Sequence, residues 1–242
     1  YFDTFDASKH VLDYVNIPHD WFKIRAFDWG YSKPFCVLWG AVSDGSLVDC
    51  GGIKRSFPRG AIIIYREFYG CTGKANEGLK MHAGDIAKNT KEMQQGEKMD
   101  NMVADPAIFD VSSGESIAEQ MSKEKIYWQS ADNKRVAGWQ QIRARLSDNE
   151  DGKPLLYITK NCRNLLRTLP LMQYDKSKPE DLNTEMEDHA VDTLRYLCMT
   201  RPVVVEIKKP MTIQESMDYQ LQVQRLIDDI KKENLLLTNK NK

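Results

Sequence analysis

The sequence is poor in cysteine, and the cysteines it has are not arranged as a metal cluster. There are five of them, an odd number, scattered along the chain without a Cys-x-x-Cys pair. This argues against a zinc cluster and a disulfide framework, and it fits a reducing compartment. We interpret each cysteine as a small buried hydrophobic residue.

Long apolar runs and nucleotide-binding motifs are also missing. No run approaches the roughly 20 apolar residues of a membrane span, and no signal-peptide pattern opens the chain, so we expect no membrane partner. The nearest match to a phosphate-binding loop, at 70–75, has the wrong spacing and ends on Ala75, which cannot bind Mg²⁺. We therefore expect no ATP hydrolysis. The chain begins at Tyr1 rather than methionine, which we interpret as the start of a piece of a longer polypeptide.

Charge is nearly balanced overall but unevenly distributed. The net charge is −1, and hydrophobic residues make up 41% of the 242, enough for a core. Residues 121–178 contain twelve Lys and Arg against six Asp and Glu, whereas 180–192 contain six acids and no Lys or Arg. A basic segment beside an acidic cluster suits a metal-dependent phosphodiesterase, although ordinary solvated charge explains many of these residues equally well.

The hydrophobic pattern predicts an α/β fold. Three strand patterns joined by short turns come first, ending near Asp28, Val42 and Tyr69. Helices and strands then alternate: helix 76–95 with Asn76 as its cap, strand 99–104, helix 113–121, strand 126–128, helix 136–146, strand 155–159, helix 161–169 and helix 185–200. This order predicts a ribonuclease H-like mixed sheet, with a three-strand antiparallel meander plus parallel strands and flanking helices.

Two aspartates close predicted strands. Asp28 precedes Trp29-Gly30, and Asp105 precedes Pro106, which cannot continue a ladder. Strand ends in one α/β sheet meet at the edge where such folds bind ligands, so we expect the two carboxylates to lie side by side. A single aspartate in such a position is more often a turn residue.

The third group of candidates lies on the last predicted helix of the domain. His189, Asp192 and Tyr196 share one stripe at spacings of three and four residues. Val191, Leu194 and Cys198 share another, which we predict to be core. Helical spacing therefore favours Asp192 over Asp188 as the third carboxylate.

Three clustered carboxylates repel one another unless cations intervene, and hard oxygen ligands suit Mg²⁺ or Mn²⁺. Two such ions about 3.5–4 Å apart support in-line phosphodiester hydrolysis. For the DNA backbone, the candidate contacts are basic residues near the site and on the predicted 136–146 helix: Lys33, Lys134, Arg135, Arg143 and Arg145. The helix residues form a solvated face equally well.

Six blocks of the sequence, taken in order, resemble the nuclease domain of the large terminase subunit of tailed bacteriophages. The resemblance covers roughly 1–202, and its blocks lie at 27–35, 64–70, 103–107, 135–139, 180–183 and 188–196. We therefore place the nuclease domain at 1–202, and the charged helical pattern that follows predicts a C-terminal helical tail at 203–242, flexible or partner-binding. We expect an amphipathic helix at 211–237 within that tail.

The resemblance also implies a function. Large terminases package viral DNA and cut concatemers with divalent metals, so the chain is expected to be a metal-dependent DNA endonuclease acting in the host cytoplasm and absent from the mature particle. Asp28, Asp105 and Asp192 fall on the family's metal ligands for two ions, Mg²⁺ or Mn²⁺, with His189 supporting. Glu67 and Asp188 are expected to assist the ligands, a structural role for Glu67 being equally open. The implied partners are double-stranded DNA, a portal protein, a small terminase subunit and an ATPase domain of the same polypeptide.

Two alternatives remain open. Another ribonuclease H-like nuclease, of resolvase or transposase type, would prefer junctions or transposon ends. An assembly module would dock through the tail and show little cleavage in isolation.

Overall fold

The computed structural model describes residues 1–111, 114–183 and 185–203, and Gln224. Apart from Gln224, the tail helix expected at 211–237 therefore lies outside the described residues, and the helical tail stays a prediction. Within the described ranges, no helix is both long and apolar enough to span a bilayer.

The elements alternate largely in the predicted order. The strands are β1 Val11–Leu12, β2 Phe22–Asp28, β3 Cys36–Val42, β4 Leu47–Asp49, β5 Lys54–Ser56, β6 Ile62–Tyr69, β7 Asn101–Ala104, β8 Gln129–Ser130 and β9 Leu156–Thr159. The helices are α1 Ala7–His10, α2 Ala83–Gln94, α3 Ile117–Lys123, α4 Arg135–Leu146, α5 Arg163–Thr168 and α6 His189–Met199. Two 3₁₀ turns follow β7 and α5, at Pro106–Phe109 and Leu169–Leu171.

One mixed seven-stranded sheet organises the fold, in the order β1-β9-β6-β3-β2-β7-β8. β3 runs antiparallel to both β2 and β6, and every other pairing in this sheet is parallel. The predicted meander is thus β2, β3 and β6, with parallel strands on both sides of it. The predicted ribonuclease H-like class is confirmed.

Helices cover both faces of the sheet, so its central strands are apolar on both sides. Successive residues of a strand point to opposite faces. In β2, Ile24 and Ala26 pack into the cluster that contains α4 and α6, whereas Phe27 packs into the cluster of α2 and α3. The alternation places the side chain of Asp28 on the α6 side of the sheet.

Several element boundaries differ from the predictions. α2 begins at Ala83, not at Asn76, because the preceding loop folds back on the loop after β2 through hydrogen bonds from Gly78 N–H to Ser32 O and from Lys80 N–H to Tyr31 O. The strand expected at 126–128 is observed at Gln129–Ser130, and the helix expected from 185 begins at His189.

The first residues of the chain are more than a polar lead-in. Phe2 and Trp21 are buried, and β1 pairs with β9 at the edge of the sheet. The short hairpin of β4 and β5 was also not predicted. Its strands have only three residues each, and two of the six residues are arginine or lysine, so the sequence shows no recognisable strand pattern there. Neither feature alters the part of the sheet that carries the candidate site.

Candidate metal centre at the strand ends

Asp28 and Asp105 occupy adjacent strand ends. β2 and β7 pair in parallel with Phe27 opposite Ala104, and the Asp105 N–H donates to Phe27 O at 3.0 Å. Val103 packs on the α6 side and Ala104 on the opposite side, so the alternation directs Asp105 to the same face as Asp28. The predicted meeting of the two carboxylates at one sheet edge is what the structure shows.

His189, the first residue of α6, faces Asp28. Its Nδ1 lies 3.2 Å from Asp28 Oδ2, and its Nε2 lies 3.0 Å from the side-chain Oδ1 of Asn76. α6 packs across β2 and β3, and the predicted core stripe of Val191, Leu194 and Cys198 is fully buried against them. This packing fixes the start of the helix over the end of β2.

Asp192, one helical turn further along α6, is held by two arginines. Its Oδ1 accepts hydrogen bonds from Arg195 Nε at 2.8 Å and Arg195 Nη2 at 2.6 Å. Its Oδ2 lies 3.6 Å from Arg135 Nη1. The Arg195 guanidinium is buried between the rings of Trp139 and Tyr196, at 4.9 and 4.4 Å from their centroids.

The pKa values of three groups in the site are raised, and the crowding of acidic side chains contributes to each shift. Burial raises the pKa of Asp28, and the charges of Asp192 and Asp105 raise it further against the hydrogen bond of His189. Burial and the charge of Asp192 likewise raise the pKa of Asp188. Burial lowers the pKa of His189, but its hydrogen bond with Asp28 and the surrounding carboxylates outweigh that effect and raise it overall. The raised pKa values show that burial and mutual repulsion disfavour the ionised form of these carboxyl groups.

These shifts predict how the metal-free protein responds to pH. A group whose pKa is higher in the folded state binds more protons there, so its stabilising contribution is present below its unfolded pKa and lost as pH rises through its folded pKa. Asp28, Asp188 and His189 all shift upward, so all three act in the same direction. We expect the free energy of unfolding in chelator to fall by roughly 1–3 kcal/mol from about pH 5 to pH 8.

Urea denaturation at several pH values measures this slope. Asp28→Asn removes the largest shifted carboxyl and should flatten it. A stability that rises over the same interval in the wild type, with no change in Asp28→Asn, would contradict the assignment.

The donor set fits a hard divalent cation in its chemistry. Carboxylate oxygens and an imidazole converge on one edge where like charges repel, and a cation relieves that repulsion. Within the described ranges, however, no three His, Cys, Asp or Glu side chains are already grouped closely enough to hold a metal ion. Asp192 is turned to its arginines, and Asp105 Oδ1 accepts the Ala107 N–H at 3.0 Å. Coordination would require side-chain rotation of these two residues.

Glu67 has a structural role in this arrangement. Its carboxylate accepts the backbone N–H groups of Asn164 at 2.9 Å and Leu165 at 2.7 Å, and the Asn164 side-chain amide at 2.9 Å. It therefore caps the start of α5 from β6. These hydrogen bonds lead to α5 and not to the aspartates, which favours a structural role for Glu67 over a role in assisting the metal ligands.

Glu67→Ala should lower the free energy of unfolding by about 1–3 kcal/mol, because it leaves two buried N–H groups without an acceptor. Glu67→Gln retains one acceptor oxygen and should cost less. Urea denaturation compares both with Glu92→Ala, an exposed residue of α2 that should change stability by less than about 0.5 kcal/mol. An alanine variant as stable as the wild type would contradict the capping role.

The cations predicted to contact DNA fall into two groups. Lys33 and Lys134 are exposed, the latter in a 3.5 Å ion pair with Asp132. Arg135 is held between Asp181 and Asp192, and Arg143 donates to Tyr1 O and to the Tyr174 hydroxyl.

The structure contradicts the prediction made for Arg145. This residue is 1% exposed, and its guanidinium donates to the carbonyl oxygens of Gly60, Leu155 and Arg201. The prediction that it contacts DNA is wrong, because this part of α4 packs against β9 and α6 instead of presenting a solvated face.

Three residues of the site were not identified from the sequence. Asn76 contacts His189 across 113 positions of the chain, and Glu187 anchors the neighbouring loop through the Tyr69 hydroxyl. Arg195 follows Asp192 by three positions, a spacing that allows a side-chain pair on one helix face, so this contact was open to prediction. The Asn76 contact had no comparable local signal.

Comparison with known proteins supports the fold. No family model matches the sequence, and no curated protein matches it. Among solved structures, the large terminase of the thermophilic bacteriophage D6E in complex with ADP superimposes with a TM-score of 0.61 at 16% identity, over 81% of this chain and 43% of that one. The P22 large terminase nuclease domain gives 0.56 at 12% identity, over 83% and 91%. The nuclease of the phage G20c large terminase with bound cobalt gives 0.51 at 13% identity, over 81% and 95%.

These likenesses define the class of the fold. The chain has the fold of the nuclease domains of phage large terminases, as the sequence resemblance led us to expect. It spans less than half of the D6E large terminase and most of the two isolated nuclease domains in length.

Proposed function

We propose that the chain is the metal-dependent nuclease domain of a phage large terminase, cutting double-stranded DNA by phosphodiester hydrolysis. The observation that carries this is the pair Asp28 and Asp105 at adjacent strand ends, with His189 of α6 directed at Asp28. The likeness in fold to terminase nuclease domains, one of them with bound cobalt, supports the reading.

We assign each residue of the candidate metal centre a role in this reaction. Asp28, Asp105 and Asp192 would hold Mg²⁺ or Mn²⁺, two ions in our proposal, with His189 supporting. When bound, such ions supply an activated water and stabilise the charge on the leaving oxygen. Arg195 and Arg135 hold the Asp192 carboxylate in the metal-free protein, and its rotation away from them would free its oxygens for coordination. Asp188 adds negative charge beside this group.

The DNA backbone would meet the protein at this same edge of the sheet. Lys33 is exposed on the loop that follows Asp28, where its ammonium group can reach a phosphate. A DNA-packaging partner set follows from the same proposal: an ATPase domain in the same polypeptide, a portal protein and a small terminase subunit, acting in the host cytoplasm.

Cleavage of supercoiled plasmid by the purified chain tests the proposal. We expect nicked and linear products with Mn²⁺ or Mg²⁺ and none with a chelator. Metal-dependent cutting restricted to four-way junctions or transposon ends would favour a resolvase or transposase type. Metal binding without cutting of any DNA would contradict the nuclease assignment and favour an assembly module.

A further inference from the structure

The loop between β6 and α2 is fixed beside the candidate centre. Its Gly78 and Lys80 N–H groups donate to Ser32 O at 2.9 Å and Tyr31 O at 3.1 Å, in the loop that follows Asp28. A Cβ atom at Gly78 would lie 2.2 Å from Lys33 O, so only glycine permits this approach. The close packing places the middle of the 70–80 loop next to the start of α6.

Asn76 makes the contact to α6. Its φ of 59° lies in the left-handed region, which asparagine tolerates better than most residues. Its backbone N–H hydrogen-bonds to the Glu187 carboxylate, which also accepts the Tyr69 hydroxyl at 2.8 Å and Arg167 Nη1 at 3.0 Å. The backbone of Asn76 is thereby held at Glu187, which precedes His189 by two positions in the sequence.

The side chain of Asn76 then determines which way the His189 ring faces. Oδ1 carries no proton, so the 3.0 Å contact to Nε2 requires Nε2–H as the donor. With Nε2 held there, Nδ1 is the nitrogen that faces Asp28 Oδ2 at 3.2 Å. A histidine that supports a metal through one ring nitrogen commonly donates its other N–H to a fixed oxygen.

We propose that Asn76 is a positioning residue that holds the His189 ring through Nε2 and so directs Nδ1 to the carboxylate edge. The inference deepens the proposed function and rests on it for its consequence in metal binding. The contact itself is independent of any catalytic activity.

Two substitutions separate the side chain from the backbone. Asn76→Gly removes the acceptor and adopts the left-handed φ without steric strain, so the loop can keep its backbone conformation. Asn76→Asp retains an Oδ acceptor and also tolerates this conformation. Glu77→Gln serves as the control, because Glu77 lies next in the loop and its side chain, 48% exposed, forms a surface ion pair with Lys74 at 3.7 Å.

The first readout is the Nε2–H resonance of His189 in ¹⁵N-histidine-labelled, metal-free protein. We expect a signal protected from solvent exchange in the wild type, in Asn76→Asp and in Glu77→Gln, and its loss in Asn76→Gly. His10, whose Nε2 lies 2.9 Å from the buried Leu146 carbonyl, provides an internal reference that should not change. A His189 signal unchanged in Asn76→Gly would overturn the proposal.

The second readout is the dissociation constant for Mn²⁺ by titration calorimetry. Asn76→Gly should weaken binding about 10–100-fold, with Asn76→Asp and Glu77→Gln close to the wild type. An unchanged dissociation constant in Asn76→Gly would also overturn the proposal. A wild type that binds no Mn²⁺ contradicts the proposed function instead, while the Nε2–H signal still decides whether Asn76 holds the ring.

Discussion

Asp28→Asn should lower the rate of metal-dependent plasmid cleavage by at least about 10³-fold, since loss of metal-based charge stabilisation removes several kcal/mol from the transition state. The substitution is nearly isosteric and keeps one oxygen, but it removes the anionic ligand at the centre of the site. Asp28 is 7% exposed and is the carboxylate that His189 contacts directly. The other buried acids of the described residues, Asp188 and Asp192, do not lie at a strand end.

The same variant provides its own control for folding. Because burial and neighbouring charges disfavour the ionised Asp28 carboxylate, Asn at this position should leave metal-free stability at about pH 8 equal or higher. Asp13→Asn is the matched control for activity, since the Asp13 side chain is 81% exposed and pairs with Lys160 at the other end of the sheet order. Full cleavage by a folded Asp28→Asn variant would contradict the assignment.

Arg195→Met should lower the free energy of unfolding by about 3–5 kcal/mol, because it removes one partner of a buried ion pair and leaves the Asp192 carboxylate with Arg135, 3.6 Å away, as its remaining arginine partner. Arg195 is 2% exposed, and both of its bonding nitrogens go to Asp192 Oδ1. The methylene stem also packs on α4, where a Cβ atom at Gly138 would come within 2.3 Å of Arg195 Cγ. Methionine retains part of this packing but none of the charge.

Urea denaturation of four proteins measures the effect: wild type, Arg195→Met, the double variant Asp192→Asn/Arg195→Met, and Arg163→Met as an exposed control on α5. The double variant should recover part of the loss, and the control should change by less than about 0.5 kcal/mol. Added Mn²⁺ should stabilise Arg195→Met more than the double variant, because only the former keeps the Asp192 carboxylate. Equal stability of Arg195→Met and the control would contradict the role of the pair.

Local patterns predicted much of what positions the site. Asp28 and Asp105 follow from strand ends in a recognisable element order, and the i, i+3 spacing of His189 and Asp192 places both in the first turn of α6, on one face of the helix. The apolar stripe of α6 was correctly predicted, because its members Val191, Leu194 and Cys198 recur at spacings of three and four residues.

The remainder depended on contacts that local sequence does not encode. Arg145 looks like part of a basic helix face, but α4 is covered on more than one side, and three carbonyl oxygens accept hydrogen bonds from its buried guanidinium. Asn76 has the residue type of a helix cap, but its loop is pulled back by backbone hydrogen bonds to the segment after β2. Both errors arise because tertiary packing overrides a local preference.

A Mn²⁺-soaked crystal, measured at the manganese absorption edge, tests the central claim most directly. We expect anomalous density in contact with carboxylate oxygens of Asp28 and Asp105, with Asp192 rotated toward it and His189 still bonded to Asn76. Density confined to other acidic residues, with Asp28 remaining on His189 and Asp192 on Arg195, would contradict it.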